Sequence, residues 1–468
     1  MKNTRLLALS LAAAAFTAPA AVSDAGSMFQ GFFWDTPGGW YNIMSQNSNA
    51  IRYQNGGYGA DRIWFPPSSK GQGGGFSMGY DPADYYDVGN YNQHGWTATR
   101  FGTKAELTAA TASYRNKGVT TMADIIINHR SGGSSEYNPN VGYNTWTNFQ
   151  YQQSGMALWH YNEFHPSSYW GSDEGAFGGY PDVCHRNPYV WNDLTAWGNW
   201  MKGNSNAGFN GGWRFDFVKG FGPWMAKDFR QYTGWMYGVG ELWDANVNYL
   251  DWWAGSADSS AFDFAAYYTL AGICNNTGGG GYLPDLVNQS KSFSAKNKWR
   301  AVGFAENHDT HEITNHKHLA YAYLYTYQGY PCTYWKDFFD YNLDDMGGQW
   351  GNGIKQLTWV REKLGQGGPD VQNMKTDDGN LLIFGDSSGW GGNPGYIAVI
   401  NDDSYNWRGA WVNTSNGQLR NKSLKAYAWY STNSGQNYQP GNQWCQSNGW
   451  VQVWAPPRGY AVYAPDGY

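Results

Sequence analysis

Four short stretches of the chain combine acidic residues with histidine, arginine or lysine at the ends of apolar runs. They are DIIINH at Asp124–His129, GWRFDFVKG at Gly212–Gly220, GELWD at Gly240–Asp244 and FAENHD at Phe304–Asp309. An acidic residue at a strand end is, taken singly, most often a turn former or a helix cap. Acidic residues in one pocket beside an arginine and two histidines suit another task, the hydrolysis of glycosidic bonds. That reaction needs one carboxylate as nucleophile or base and one protonated carboxyl to release the leaving oxygen. Asp216 fits the first role. Arg214, two residues earlier and on the same face of an extended strand, keeps it ionised. Glu241 fits the second role, with apolar neighbours such as Trp243 and nearby negative charges raising its pKa. No G-x-G-x-x-G opens a helix after the first strand, which excludes a doubly wound nucleotide-binding enzyme.

These residues need elements that bring them together. Strand-like runs are expected at 27–33, 61–65 and 119–127. Further strands end at Asp216, Glu241, Phe264 and His308, and a last one covers 332–335. Helical patterns separate them. Thr103 to Lys117 carries a capping box (Thr103 with Glu106), one apolar face (Leu107, Ala110, Tyr114) and Gly118 as a stop. Ile354, Leu357, Val360 and Leu364 form one face of a final helix. Repeated strand–helix units predict a parallel sheet, and about eight strands favour a closed (β/α)8 TIM barrel. Such a barrel gathers its strand ends into one pocket. Two segments break the rhythm. Residues 130–186, rich in Gly, Asn, Tyr and Trp, read as a subdomain inserted after strand 3. From 366 onward the pattern alternates, as in Tyr396–Ile400 and Val451–Ala455, which predicts a C-terminal antiparallel β domain. The expected organisation is a signal peptide over 1–21, barrel parts over 22–129 and 187–365 around the insert at 130–186, and the β domain over 366–468.

Composition sets the class of partner. The 468 residues carry a net charge of −6, 15% charged and 18% aromatic side chains, so a disordered chain is excluded. A sequence pI near 5.8 argues against nucleic acid or an anionic membrane as partner. Lys2 and Arg5, the apolar run Leu6–Phe16 and Ala18-Pro19-Ala20 read as a secretory signal, so the expected location is outside the cell. The four cysteines, Cys184, Cys274, Cys332 and Cys445, allow three disulfide pairings and contain no CxxC pair.

The four motifs, in this order, resemble those of the α-amylase family, glycoside hydrolase family 13. Supporting stretches are Gly79-Tyr80-Asp81-Pro82 and Gly329-Tyr330-Pro331. The resemblance covers essentially the whole mature chain. It implies Asp216 as nucleophile, Glu241 as acid/base and Asp309 as a third, orienting carboxylate. It also implies substrate contacts from Tyr80, His129, Arg214, Lys219 and His308, and retention at the anomeric carbon. The insert resembles a calcium-binding domain, through Phe164-His165-Pro166, Asp173-Glu174-Gly175 and the run Gly178–His185. By that resemblance Ca2+ is held by side-chain oxygens of Asn128, Asp173 and Asp182 and by the carbonyls of Gly175 and Gly220, hard oxygen donors of the kind calcium takes. Many relatives have His where Gly220 stands, and a backbone carbonyl is indifferent to that exchange. Some archaeal relatives add zinc through two His and a Cys. Here His165 and Cys184 match, but Trp170 stands at the third position and indole cannot ligate zinc.

The implied activity is that of a secreted, monomeric α-amylase making internal cuts in the α-1,4 bonds of starch and malto-oligosaccharides. An exo-acting malto-oligosaccharide-forming amylase shares the motifs. A non-catalytic starch-binding protein is the alternative from another class, and the presence of all three carboxylates argues against it. Trp34, Trp40, Trp64, Trp170 and Trp243 are candidates for sugar stacking or for core packing alike. The tail, with Trp407, Trp411, Trp444, Trp450 and Trp454, is expected to be a structural β-sandwich rather than a starch-binding module.

Overall fold

A computed structural model describes residues 26–53, 58–171, 175–275, 281–346, 352–365, 370–387 and 392–468. The proposed signal segment and Asp173 lie outside these residues. The chain adopts the expected barrel with a C-terminal antiparallel domain. Eight parallel strands close on themselves in sequence order: β1 (Met28–Gln30), β2 (Arg62–Trp64), β3 (Thr120–Ile125), β4 (Gly212–Phe215), β5 (Gly238–Gly240), β6 (Ser260–Phe262), β7 (Ala301–Phe304) and β8 (Tyr330–Tyr334). Closure runs through β1, whose Met28 pairs with Cys332 of β8 on one side and Arg62 of β2 on the other.

The strands are shorter than the apolar runs suggest, and the reason bears on the site. In β4 the regular strand stops at Phe215, so Asp216 stands just beyond it. Glu241 likewise follows β5, and His308 and Asp309 come several residues after β7. The chemistry-bearing residues thus sit on irregular backbone above a rigid ring of strands, where side chains can turn inward. The helix α1 (Lys104–Arg115) has the capping box formed, with the Glu106 N–H donating to Thr103 and the Glu106 carboxylate accepting from the Thr103 N–H. It ends two residues before the expected Lys117, and Gly118 then takes φ 74°. The final helix covers Gly353–Trp359 and continues as a single wider turn over Val360–Leu364.

The insert between β3 and β4 contains an antiparallel hairpin, Ser134–Asn138 with Tyr143–Asn148. Its far end returns alongside the residues after β3. The Val183 N–H donates to the Asn128 carbonyl, and the Arg130 N–H to the Pro181 carbonyl. The described residues of the tail form eight strands: β9 (Val371–Asp378), β10 (Leu381–Asp386), β11 (Ile397–Asn401), β12 (Arg408–Asn413), β13 (Lys422–Ser431), β14 (Gln443–Cys445), β15 (Trp450–Ala455) and β16 (Gly459–Pro465). Six form one sheet in the order β9-β10-β11-β16-β13-β14, and β12 pairs with β15 as a separate ribbon. A small core that includes Ile383, Val399, Val451 and Val453 lies within this domain. The opposite face of the large sheet, with Phe384, Tyr427 and Tyr460, joins the barrel's own core. Continuous burial of that kind fixes the domain to the barrel. All four cysteines are buried as free thiols, so none of the three pairings allowed by the sequence forms.

Candidate active site

Arg214 organises the C-terminal end of the barrel. Its side chain is fully buried, and one terminal nitrogen contacts Asp124 Oδ1 at 2.9 Å and Asp216 Oδ1 at 2.5 Å. The other reaches Glu241 Oε1 at 2.8 Å. A guanidinium is a planar fork that stays charged when buried, and here the surrounding carboxylates hold its charge against the cost of burial. The two carboxyls assigned to catalysis are therefore gripped by one rigid group. The second oxygen of Glu241 accepts from the Phe217 N–H at 3.0 Å. Phe217 adopts φ 40°, a left-handed conformation unusual for a bulky residue. That turn aims its N–H across from β4 to β5.

Three carboxylates around one cation leave a surplus of negative charge in a dry place. Burial raises the Glu241 pKa well above the ordinary range; Arg214 opposes this, while Asp216 and Asp309 add to it. Burial thus favours the protonated form of Glu241. Asp124 is pushed up to about 6, again by burial and against Arg214. Asp309 differs. Burial works to raise it, but its bond to His308 prevails and its pKa falls. The His308 Nε2 to Asp309 Oδ2 distance is 2.9 Å.

A second chain of contacts fixes that histidine. The Gln30 amide lies 2.9 Å from His308 Nδ1, and Tyr80 Oη lies 2.6 Å from Nε2. The Tyr80 hydroxyl donates to Asp124 Oδ2 at 2.8 Å, and the Trp64 indole donates to the same oxygen at 3.1 Å. Trp34, Tyr80 and His308 stack face to face, with centroids 6.2 and 5.2 Å apart. Burial keeps the imidazole of His129 below its ordinary pKa, hence neutral, and its Nε2–H donates to the Tyr80 carbonyl at 2.9 Å. Phe177 and Tyr180 of the insert stack against the His129 ring.

Above this floor lies a cleft of about 750 Å³. It is lined by Asp216, Glu241, Asp309, Tyr80, His129 and Lys219 among the residues expected to act there. Lys219 is tethered to Asp244 at 3.0 Å. Arg214 and His308, expected to touch substrate, lie beneath the lining and hold the groups that form it. Of the five tryptophan candidates, Trp34 and Trp243 border the cleft, 49% and 36% exposed. Trp64 is buried in the floor. Trp40 is core, its indole donating to the Gly31 carbonyl. Trp170 is outside the cleft under Arg186. Sequence reasoning assigned no role to Asp124 or Gln30, which tie the floor together, nor to Asp81, Phe76, Phe177 and Tyr180 along the rim. A charge inside the apolar run of β3 was the available signal for Asp124.

Beside the cleft, oxygen atoms gather where the insert meets the barrel. A Cβ added to Gly220 would lie 1.9 Å from Asn128 Oδ1 and 2.8 Å from the Gly175 carbonyl oxygen. Contrary to the expectation, the position is not indifferent to side chain in this arrangement: any side chain here would force the Asn128 amide to shift. Asn128 Oδ1 is buried and has no hydrogen-bond partner among the described residues. Asp182 pairs through its backbone with His129. No cluster of three or more His, Cys, Asp or Glu suited to a metal occurs among the described residues.

No family model matches the chain. It is 27% identical over 383 residues to an α-amylase of Bacillus licheniformis, covering 69% of this chain and 73% of that one. It is 26% identical over 446 residues to a glucan 1,4-α-maltotetraohydrolase of Roseateles saccharophilus, covering 84% and 72%. Among solved structures, an Anoxybacillus α-amylase superposes with a TM-score of 0.67 at 16% identity, covering 95% of this chain and 99% of its own. An α-amylase from Geobacillus thermoleovorans, complexed with acarbose, gives the same score and identity, with 94% and 98% covered. Taken with the four motifs converging on one cleft, these likenesses support placing the chain in the α-amylase family, glycoside hydrolase family 13, and reading it as a glycoside hydrolase.

Proposed function

We propose that the protein is an exported α-amylase that makes internal cuts in the α-1,4-glucosidic bonds of starch and malto-oligosaccharides, with retention at the anomeric carbon. One observation carries the reading: Asp216 and Glu241 share the guanidinium of Arg214 at the floor of an open cleft, and burial raises the pKa of Glu241. Asp216 attacks the anomeric carbon as Glu241 passes its proton to the departing glycosidic oxygen, leaving a glycosyl ester on Asp216. Glu241, now a carboxylate, takes a proton from water. That water attacks the same carbon and frees Asp216. Asp309, kept ionised by His308, orients the sugar and steadies the positive charge that develops on its ring. Tyr80 and Trp34 offer a stacked aromatic wall, and His129 and Lys219 face the bound chain. Beneath them Arg214 and His308 act through the groups they hold.

The oxygens beside the cleft suit calcium. An amide oxygen left without a partner, a facing carbonyl and the glycine that admits both are hard donors with room between them. Asn128, Gly175, Asp182 and Gly220, with Asp173, would hold the ion. Bound there, it would tie the insert to the barrel and stabilise the fold. Export rests on the composition of residues 1–21.

The test is a time course of products from soluble starch, separated by chromatography, with the anomeric form of the first product read by NMR. A mixture of lengths from the outset with α-anomers supports the reading. A single dominant oligomer from the start transfers it to the exo-acting form suggested by the maltotetraohydrolase relative, and β-anomers reject retention.

A further inference from the structure

The ribbon of β12 and β15 carries more aromatic surface than a structural cover requires. Its inner face is ordinary, with Val412, Val451, Val453 and Ala455 buried against the large sheet. By strand alternation the outer face presents Gly409, Trp411 and Asn413 on β12, paired with Trp454, Gln452 and Trp450 on β15. Trp411 is 53% exposed and Trp450 43%, and Trp454 is half-buried. Trp411 thus stands diagonally between the other two, diagonal neighbours lying about 7–8 Å apart on this kind of ladder. Trp450 and Trp454 are separated by roughly 13 Å along their strand. A Cβ on Gly409 would come within 2.5 Å of the Trp454 indole, so glycine is what lets that ring lie down on the ribbon.

Single exposed aromatics need no explanation, but a row on one strand face marks a binding surface. The chemistry of the row selects its occupant. No ionic side chain interrupts it, whereas nucleic acid or an anionic membrane demands cations. The gaps hold Gln452 and Asn413, amides that both donate and accept. Flat apolar rings alternating with amides match a neutral chain whose units have an apolar face and a rim of hydroxyls.

We propose that the outer face of the β12–β15 ribbon is a second, non-catalytic site for an α-glucan chain. It shares no residue with the cleft. For its ligand class it rests on the function proposed above.

The test uses the full chain in native gels cast with and without soluble starch, together with adsorption to granular starch. Turnover of a short malto-oligosaccharide, which engages only the cleft, is measured in parallel. Trp411→Ala with Trp450→Ala should weaken gel retardation and adsorption about tenfold and leave turnover unchanged. Should that pair not fold, Trp411→Gln with Trp450→Gln carries the same expectation. Trp444→Ala is the control: Trp444 is 59% exposed but belongs to β14 of the large sheet. Retardation unchanged in the paired variant, or equally weakened by Trp444→Ala, overturns the second site. A wild-type protein that hydrolyses the oligosaccharide but is not retarded overturns it alone. One that does neither overturns the α-glucan reading of the cleft as well.

Discussion

Two buried cations in this protein are each ringed by carboxylates, and they do different work. Arg214 holds Asp124, Asp216 and Glu241. Lys317 contacts Glu306 Oε1 at 2.7 Å and Asp337 Oδ1 at 2.6 Å, and the Tyr321 hydroxyl donates to the other Asp337 oxygen at 2.6 Å. Both settings perturb their acids. Burial raises Glu241 well above its ordinary value and pushes Glu306 up to about 8. Only the first set opens onto the cleft; Glu306 and Asp337 are not among its lining residues. A shifted acidity is thus a consequence of burial and crowding wherever they occur. Chemistry needs in addition a face from which a substrate can arrive. The closed cluster has a mechanical role: Glu306 also accepts from the Ile313 N–H at 2.6 Å, bracing the segment that carries His308 and Asp309.

The sharpest way to break the comparison is to neutralise one carboxylate in each set. Asp216→Asn should cost several orders of magnitude in kcat, as loss of a nucleophile does, with melting close to wild type. Asp337→Asn should do the reverse. Breaking a buried ion pair costs on the order of 3 kcal/mol, so the melting temperature falls while turnover per folded molecule is largely kept. Calorimetry and initial rates on the two purified variants check this. A stable, inactive Asp337→Asn protein would erase the distinction between the clusters.

Within the open set the next largest effect separates the two catalytic roles. Glu241→Gln should lose most activity on starch but retain far more on an aryl glycoside, whose leaving group departs without a proton. Loss in equal proportion on both substrates would remove Glu241 from the acid role. Because the acid must be protonated, activity falls as pH rises through its pKa. The raised pKa moves that limb upward.

Much of this was legible in the sequence for a physical reason. Barrel strands buried on both sides read as apolar runs, and a charge at the end of such a run is costly unless it has a task. Asp216, Glu241 and Asp309 declared themselves in that way. What sequence does not carry is the third dimension of the floor. Gln30 and His308 are far apart along the chain yet hydrogen-bonded, and Asp124 meets Trp64, Tyr80 and Arg214 from three other segments. The rim was equally hidden, since Phe177 and Tyr180 reach His129 only through the path of the insert. Among the tryptophans, composition could not separate Trp34 from Trp40, six residues apart, one bordering the cleft and one in the core.

The open set also depends on the junction behind it, and Gly220 probes that junction without touching a carboxylate. An added methyl would collide with Asn128 Oδ1 and the Gly175 carbonyl oxygen. Gly220→Ala should therefore lower the melting temperature and raise the Ca2+ concentration needed to protect it. An ion at a hundredfold excess over Kd contributes roughly 2.7 kcal/mol to the folded state, so chelation should lower the wild-type melting temperature and reduce activity, and added Ca2+ should restore both. A wild-type protein that contains no calcium by metal analysis and is indifferent to EDTA would reject this assignment.

The smallest expected effect tests the closed set alone. The raised pKa of Glu306, about 8, means that the native state keeps a proton the unfolded chain gives up near the ordinary value of 4.5. Where the native state binds more protons, stability falls as pH rises. The Glu306 contribution is thus fully present below about pH 4.5 and is lost as pH climbs through about 8. Lys317 is raised from an already high value and does not titrate in that window. Asp124, Asp386 and Glu362 are also raised, so the wild-type slope is a sum over several groups. The informative quantity is the difference between wild type and Glu306→Gln, in which those groups cancel. Glu306→Gln removes this titration, so wild type should lose stability relative to the variant as pH rises from about 5 to about 8.5, and any gap in favour of wild type at pH 5 should narrow steadily. Parallel melting curves across that range would show that the proton resides elsewhere in the cluster. Since Glu306 does not line the cleft, the pH profile of kcat should keep its shape in the variant. A shifted profile would make this brace part of the catalytic ionisation and join the two clusters into one.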